Sequence, residues 1–130
     1  MRETVIDPID KQKFLSEISS KNRFDLLYNN LPGILFFMKN RQCQFVMLNQ
    51  VAAEALGFKD EEDGLGKTDF DIFPQNLAET YNAIDLNIME TGEALENASE
   101  LAPNRYGQII WVTTNKIPLY NTRGEIVGLM

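Results

Sequence analysis

Three aspartates and one lysine stand out as groups that could hold a polar ligand. Asp69 and Asp71 lie two apart in the segment TDFDIFP, Asp85 lies at the edge of an apolar helical stripe, and Lys116 interrupts an apolar strand pattern. A lysine on the inward face of a strand needs an acidic partner, because an unpaired buried charge is strongly unfavourable. We therefore expect Lys116 to pair with one of the three aspartates beside a cavity.

The same charged residues also allow a purely structural interpretation. Aspartate is common at helix N-caps, so one of Asp69 and Asp71 is expected to cap a helical turn while the other is solvated. Lysine often extends its ammonium group to water along an apolar stem, which leaves the partner of Lys116 open. Asp85 can likewise be a solvated acid on the helix surface.

Three uncharged residues are further candidates for lining a cavity. Tyr81 belongs to the apolar stripe of a long predicted helix, Thr114 shares the strand face of Lys116, and Phe36 is one of several aromatic residues. Aromatic side chains dominate protein cores, so packing is their first expected role and lining a pocket the second. The aromatic residues expected in the interior are Phe36, Phe37, Phe45, Phe70, Phe73 and Trp111.

Paired carboxylates could also serve a small α+β enzyme, for example Asp69 or Asp71 acting with Glu79 or Asp85. The chain contains no histidine, which removes the commonest general base and the usual ligand of zinc, haem and copper. No activated serine or cysteine signature, phosphate-binding glycine loop or cluster of metal ligands accompanies the carboxylates. The single cysteine, Cys43, cannot form an intrachain disulfide and is expected to be a buried thiol. We predict no catalytic residues and no metal site.

The overall composition indicates one ordinary globular domain. The chain has 130 residues, of which 44% are hydrophobic, and this is enough to form a core. Acidic residues outnumber basic residues 19 to 12, which argues against binding of nucleic acid by this domain. No apolar run approaches the ~20 residues that span a bilayer, and the N-terminus lacks the apolar core of a signal peptide. We expect a cytoplasmic location and no membrane contact.

The N-terminal part of the chain has a helical pattern from Asp10 to about Asn30, with Asp10 as a candidate N-cap. Its apolar positions make the predicted helix amphipathic. These positions are Phe14, Leu15, Ile18, Phe24, Leu26 and Leu27. Polar residues in the middle leave open whether the pattern is one long helix or two short helices.

The rest of the chain alternates between strand and helix patterns. Two apolar runs, Ile34–Met38 and Cys43–Leu48, flank a polar turn at Lys39–Arg41 and predict a β-hairpin. Two helices are expected after this hairpin, followed by three strands. The helices are Gln50–Leu56, capped by Asn49 and stopped by Gly57, and Gln75–Thr91, stopped by Gly92; the strands are Ala94–Ala102, Gln108–Tyr120 and Glu125–Met130. This order predicts an α+β fold, with one antiparallel sheet and helices on one face.

Four stretches of the chain together resemble the PAS family, particularly the group found in bacterial sensor proteins. They are LPGILFFMKN with CQFVMLNQVAAEALGF, then GKTDFDIFP, then METGEALEN, and finally WVTTNKIPLYNTRGEIVGL. Asn121 stands where aspartate is frequent in the family, which should still suit a turn. The resemblance implies a five-stranded antiparallel sheet over residues 31–130, with its last strand at the end of the chain. Residues 1–30 would then be an N-terminal helical extension.

The resemblance implies a sensory module that binds a small organic molecule and controls a C-terminal output domain. A pure dimerisation module with a filled cavity is the alternative. The output domain could be a DNA-binding transcription regulator, a histidine kinase of a two-component system or a cyclic-dinucleotide synthase. The cofactor is open, although GKTDFDIFPQ lacks the cysteine of flavin photosensors and the chain lacks a haem-ligating histidine. The candidate ligand-binding residues are Phe36, Asp69, Asp71, Tyr81, Asp85, Thr114 and Lys116.

The strand around Trp111 is apolar on both faces, so both faces need cover. The family register places the side with Lys116 inward. The other side, which carries Trp111, is then left for the N-terminal helix or for a second chain. We expect a homodimer, and the candidate interface residues are Phe14, Leu15, Ile18 and Trp111.

Overall fold

The computed structural model describes residues 9–19 and 26–130, which divide into an N-terminal unit, residues 1–31, and a larger unit, residues 32–130. In the N-terminal unit helix α1 spans Lys11–Glu17, and the Asp10 carboxylate accepts a hydrogen bond from the Lys13 N–H at 3.0 Å, as the N-cap prediction requires. Residues 26–29 are also helical. Phe24 lies outside the described residues. Helix α1 buries none of its side chains, and Phe14 is 63% exposed.

The larger unit contains six antiparallel strands. They are β1 (Phe37–Asn40), β2 (Phe45–Leu48), β3 (Leu95–Pro103), β4 (Ile109–Lys116), β5 (Pro118–Tyr120) and β6 (Ile126–Leu129). Four strands pair in the order β2-β1-β6-β5, and β3 pairs with β4. The predicted strand Gln108–Tyr120 is thus divided at Ile117, whose N–H and C=O both bond to Met130. Because the chain runs directly from β4 into β5, the two groups of strands are joined at Ile117.

The first hairpin lies two residues further along the chain than the sequence pattern predicts. Strand β1 extends through Lys39 to Asn40, and the turn begins at Arg41. The prediction that Lys39 belongs to the turn is therefore wrong. Its side chain is 2% exposed and points into the interior, which a turn position would not allow.

Four helices connect β2 to β3. They are α2 (Gln50–Ala55), α3 (Glu61–Gly64), α4 (Asp69–Ile72) and α5 (Gln75–Thr91). Asn49 caps α2, since its side-chain oxygen accepts from the Ala52 N–H at 2.9 Å. Helix α5 has the predicted bounds, and it ends at Gly92 with φ of 75°, a left-handed conformation that glycine adopts without strain.

The core of the larger unit lies between the helices and the inner face of the sheet. Phe45 and Leu48 of β2 pack with Ala52 and Ala53 of α2. A second cluster joins Met89 of α5 to Leu129 of β6. Two of the aromatic residues predicted to be inside are instead exposed, Phe70 by 49% and Trp111 by 71%. Phe70 lies on the solvent side of α4, whose neighbouring residue Asp69 is buried. Trp111 lies on the face of β4 opposite the buried Lys116. No helix within the described residues is long and apolar enough to cross a membrane.

Candidate functional site

Four buried ionised side chains form one connected network inside the larger unit. The Lys39 ammonium donates to Asp69 Oδ2 at 2.7 Å and to Asp85 Oδ2 at 2.6 Å. The Lys116 ammonium donates to Asp85 Oδ1 at 2.9 Å. All four residues are at most 5% exposed, and Asp85 is completely buried. Two positive and two negative charges make the network neutral as a whole, which is the condition under which buried charges are tolerated.

Local structure explains how Asp69, Asp85 and Lys39 reach this network. Thr68 starts α4, and the Asp71 carboxylate accepts from the Thr68 N–H at 2.9 Å, which fixes the turn and directs Asp69 inward. Asp85 lies one helical turn after Tyr81 on the buried side of α5. Lys39 pairs with Leu129 in the sheet, so both side chains project from the same face.

Burial and charge act against each other in setting the pKa of Lys39. Burial alone would lower this pKa, but the carboxylates of Asp85 and Asp69 outweigh the burial and raise it above the ordinary value of 10.5. For Asp69 the balance is reversed, because burial raises the pKa despite the nearby Lys39 ammonium. Aromatic faces complete the surroundings of Lys39, whose Nζ lies 4.8 Å from the centroid of the Phe45 ring.

A cavity of about 420 Å³ lies beside the network, within the larger unit. Lys39, Asp69 and Lys116 contribute to its wall, so the network borders the cavity. The remainder of the wall is largely apolar, with residues from the segment before β1 and from α2, α5, β3 and β4. Its aromatic residues are Phe36, Phe37, Phe45, Phe73 and Tyr81. Ligand pockets commonly have volumes of about 300–1,000 Å³, apolar walls and a few polar groups.

Tyr81 and Phe73 form one aromatic wall of this cavity. Their ring centroids are 5.1 Å apart in an edge-to-face arrangement. The Tyr81 hydroxyl donates to the Leu101 carbonyl of β3, and the Lys116 ammonium lies 5.5 Å from the centroid of the Tyr81 ring. Burial, together with the negative charges of Glu100 and Asp69, raises the pKa of Tyr81 above its usual range.

The structure brings together most of the residues proposed from sequence as ligand-binding candidates. Lys116 pairs with Asp85, in accord with the hypothesis that it pairs with one of three aspartates. The cavity wall includes five of the seven candidates, namely Phe36, Asp69, Tyr81, Thr114 and Lys116. Asp85 lies behind the wall as the partner of both lysines. It is not the solvated acid of the alternative interpretation.

Asp71 does not line the cavity, whereas Lys39 and Glu100 do, although neither was a candidate from the sequence. Asp71 is exposed, and its carboxylate accepts from the Thr68 N–H as part of the cap of α4. Asp69 is buried, so it is not the solvated residue that the capping alternative expected. Lys39 was missed because its polar neighbours resemble a turn, although it follows Phe37 at the spacing that places two residues on one strand face. Glu100 also lines the cavity, and no pattern in its weak strand marked it.

The outer face of the sheet carries exposed apolar side chains. Ile109 and Trp111 lie two residues apart on this face of β4 and are 59% and 71% exposed. Leu101 of β3 pairs with Trp111 and is 44% exposed. Of the residues proposed for a dimer interface, Phe14 and Trp111 are exposed, while Leu15 and Ile18 are half-buried.

Comparison with known proteins gives consistent results for sequence and structure. The sequence pattern of the PAS fold family matches residues 28–130. A diguanylate cyclase of Vibrio cholerae is 25% identical over 127 residues, which are 95% of this chain and 39% of the cyclase. The chain therefore spans well under half the length of this curated relative.

Solved structures with the same fold include VqmA and the PAS domain of BvgS. The Vibrio cholerae VqmA dimer in the absence of target DNA is 27% identical with a TM-score of 0.71, covering 86% of this chain and 50% of that chain. VqmA bound to DPO is 29% identical with a TM-score of 0.69, covering 80% and 51%. The PAS domain of Bordetella pertussis BvgS is 16% identical with a TM-score of 0.66, covering 86% and 82%, and supports the fold alone.

Proposed function

Since the chain belongs to the PAS fold family, we propose that it is a sensory domain that binds a small organic molecule and regulates an output domain in a longer protein. The cavity of about 420 Å³ is the observation that carries this proposal. A dimerisation module whose interior is filled by its own side chains would have no such space. The likeness to VqmA supports the same function, because VqmA is 29% identical to this chain and has a structure in which it is bound to DPO.

Ligand binding can be tested with toluene, a small apolar probe, and with a variant that fills the cavity. Thr114→Phe places a ring in the cavity, whereas Ser99→Phe adds the same ring to an exposed position of the neighbouring strand. We expect toluene to raise the melting temperature of the wild type and of Ser99→Phe, because a ligand that binds only the folded state stabilises it. Thr114→Phe should show no such increase.

Native mass spectrometry of the purified chain gives an independent test. A mass above the denatured mass would identify a retained small molecule, and Thr114→Phe should lose it while Ser99→Phe keeps it. Equal toluene responses of all three proteins, together with equal native and denatured masses, would contradict ligand binding in this cavity.

We also propose that the domain acts as a homodimer through the outer face of the sheet. The exposed side chains of Leu101, Ile109 and Trp111 form an apolar patch that a second copy could cover, and the related VqmA is described as a dimer. Trp111→Glu places a charge in the centre of this patch. Tyr106→Glu is the matched control, because Tyr106 is 78% exposed in the turn between β3 and β4.

Sedimentation velocity at tens of micromolar distinguishes the two variants. We expect the wild type and Tyr106→Glu to sediment as dimers and Trp111→Glu as a monomer. A monomeric wild type would refute the dimer while leaving ligand binding untouched. The output is proposed to be a DNA-binding regulator or a cyclic-dinucleotide synthase, since VqmA and the diguanylate cyclase are among the similar proteins that are longer than this chain. Under this proposal the domain itself is not an enzyme.

A further inference from the structure

Glu100 presents an unpaired buried acceptor at one end of the cavity. Its Oε1 atom is buried and has no hydrogen-bond partner among the residues that the structure describes, while the residue itself lines the cavity. The nearby Tyr81 hydroxyl is not available to it, because that hydroxyl donates to the Leu101 carbonyl. Buried polar atoms in folded proteins are rarely left without a partner. A hydrogen-bond donor on a ligand would supply one.

Lys116 presents donors at the other end of the same cavity. An ammonium group has three N–H donors, and Asp85 accepts one of them from Lys116 at 2.9 Å. The ammonium also lies 5.5 Å from the centroid of the Tyr81 ring, on the cavity wall. A ligand acceptor placed here can therefore bond to Lys116 without displacing Asp85.

The sheet register separates the two polar ends. Glu100 pairs with Val112, and Val112, Thr114 and Lys116 follow one another on the inner face of β4. The four residue steps from Val112 to Lys116 correspond to about 13 Å along the strand. The ring of Tyr81 fills part of this distance along the wall. The separation suits a molecule with one flat ring system and a polar group at each end.

The charges around the cavity decide which polar groups are accepted. Lys39, Lys116, Asp69 and Asp85 sum to zero, so Glu100 leaves the surroundings with one excess negative charge. An anionic ligand would bring a second negative charge into a region of low dielectric, which is strongly unfavourable. An uncharged or singly positive ligand meets no such penalty.

From these observations we infer the chemical class of the ligand, an inference that rests on the proposed ligand-binding function. The cavity binds a flat, uncharged or singly positive molecule whose donor, an O–H or N–H group, bonds to Glu100. An acceptor at its far end bonds to Lys116. Glu100 is thereby the residue that selects the donor and excludes anions.

Four related benzene derivatives test this class by NMR titration at a mildly acidic pH, where the phenols are neutral. 4-Hydroxyacetophenone has both a donor and an acceptor, 4-methoxyacetophenone lacks the donor, 4-ethylphenol lacks the acceptor, and 4-hydroxybenzoate is an anion. We expect 4-hydroxyacetophenone to bind about tenfold tighter than 4-methoxyacetophenone and 4-ethylphenol, because each of these lacks one hydrogen bond to a charged partner. It should also bind tighter than 4-hydroxybenzoate, because the carboxylate brings a second negative charge beside Glu100.

Variants of Glu100 assign the donor preference to this residue. Glu100→Leu should abolish the difference between 4-hydroxyacetophenone and 4-methoxyacetophenone, and Glu100→Gln, which keeps an acceptor, should retain part of it. Glu96→Leu, at an exposed position of the same strand, should leave the difference unchanged.

Several outcomes would overturn the inference. These are equal binding of the hydroxy and methoxy compounds to the wild type, tightest binding of 4-hydroxybenzoate, or an unchanged preference in Glu100→Leu. If toluene stabilises the protein but none of the four compounds binds, the ligand class is wrong and the proposed function stands. If toluene also fails to stabilise it, the proposed function fails and the inference fails with it.

Discussion

Asp85 is the residue on which the buried network depends, and Asp85→Asn is the sharpest test of it. The aspartate is completely buried, and its two oxygens bond separately to Lys39 and Lys116. Asparagine has nearly the same shape but no charge. The substitution therefore removes the electrostatic partner of both lysines and creates no cavity.

The expected loss of stability follows from what remains paired. Lys39 keeps Asp69 at 2.7 Å, so one ion pair survives. Lys116 has no second carboxylate among its contacts and becomes an uncompensated buried charge. Removing one partner of a buried pair typically costs about 3–5 kcal/mol. For a domain of this size a loss of about 3 kcal/mol lowers the melting temperature by more than 10 °C, on the order of 4 °C or more per kcal/mol.

Urea unfolding followed by circular dichroism measures this loss. Glu54→Gln serves as the control, since it breaks the 2.8 Å ion pair with Arg105 at the surface, where solvent screens the charges. We expect the control to unfold close to the wild type and Asp85→Asn to unfold at a much lower urea concentration. If the two variants unfold at the same concentration, the buried network contributes no more than a surface pair and the electrostatic reasoning is wrong.

Three further predictions concern pH, capping and close packing. The pKa of Lys39 is raised above 10.5 on folding, so its contribution to stability is complete below pH 10.5 and is lost as the pH rises through the raised pKa. The double variant Lys39→Met/Asp69→Leu lacks this contribution, so its stability relative to the wild type should increase as the pH rises above 10.5. A difference in urea unfolding between the two proteins that does not change with pH would contradict this. Asn49→Ala removes a helix cap and two other partly buried hydrogen bonds, and we expect a loss of about 3 kcal/mol in the same assay, with wild-type stability as the contrary result. Gly128→Ala places a methyl group against the backbone carbonyl of Lys39, and we expect a loss of about 1–3 kcal/mol, with wild-type stability as the contrary result.

The sequence predicts elements best where local signals are strong. Helix α5 has the predicted bounds because an apolar stripe begins after Pro74 and a glycine ends it. The cap at Asn49 is confirmed by its hydrogen bond to Ala52. The weak points are β1 and the division at Ile117, where pairing with Met130 and Leu129 decides the strand bounds. Such pairing depends on residues far apart in the chain, which local patterns do not contain.

The candidate site shows the same limit. Lys116 was identified because an apolar alternation surrounds it, and Asp85 because it lies beside an apolar stripe. Lys39 has polar neighbours on its C-terminal side, so only its contacts with Asp69 and Asp85 reveal that it is buried. Lys39 precedes Asp69 by 30 residues and Asp85 by 46 residues, and no spacing rule in the chain predicts that they meet.

Stability alone does not account for four ionised side chains in the interior. Replacing a buried ion pair with well-packed apolar residues is often neutral or stabilising, because the desolvation of the charges offsets their attraction. Here the network is neutral and joins α4 and α5 to β1 and β4, while its two lysines and Asp69 also face the cavity. Charges that only held these elements together would not need to be presented to an open space. Their position in the cavity wall supports the proposed role in orienting a polar ligand, and Glu100 Oε1 is the one buried side-chain polar atom that lacks a hydrogen-bond partner among the described residues.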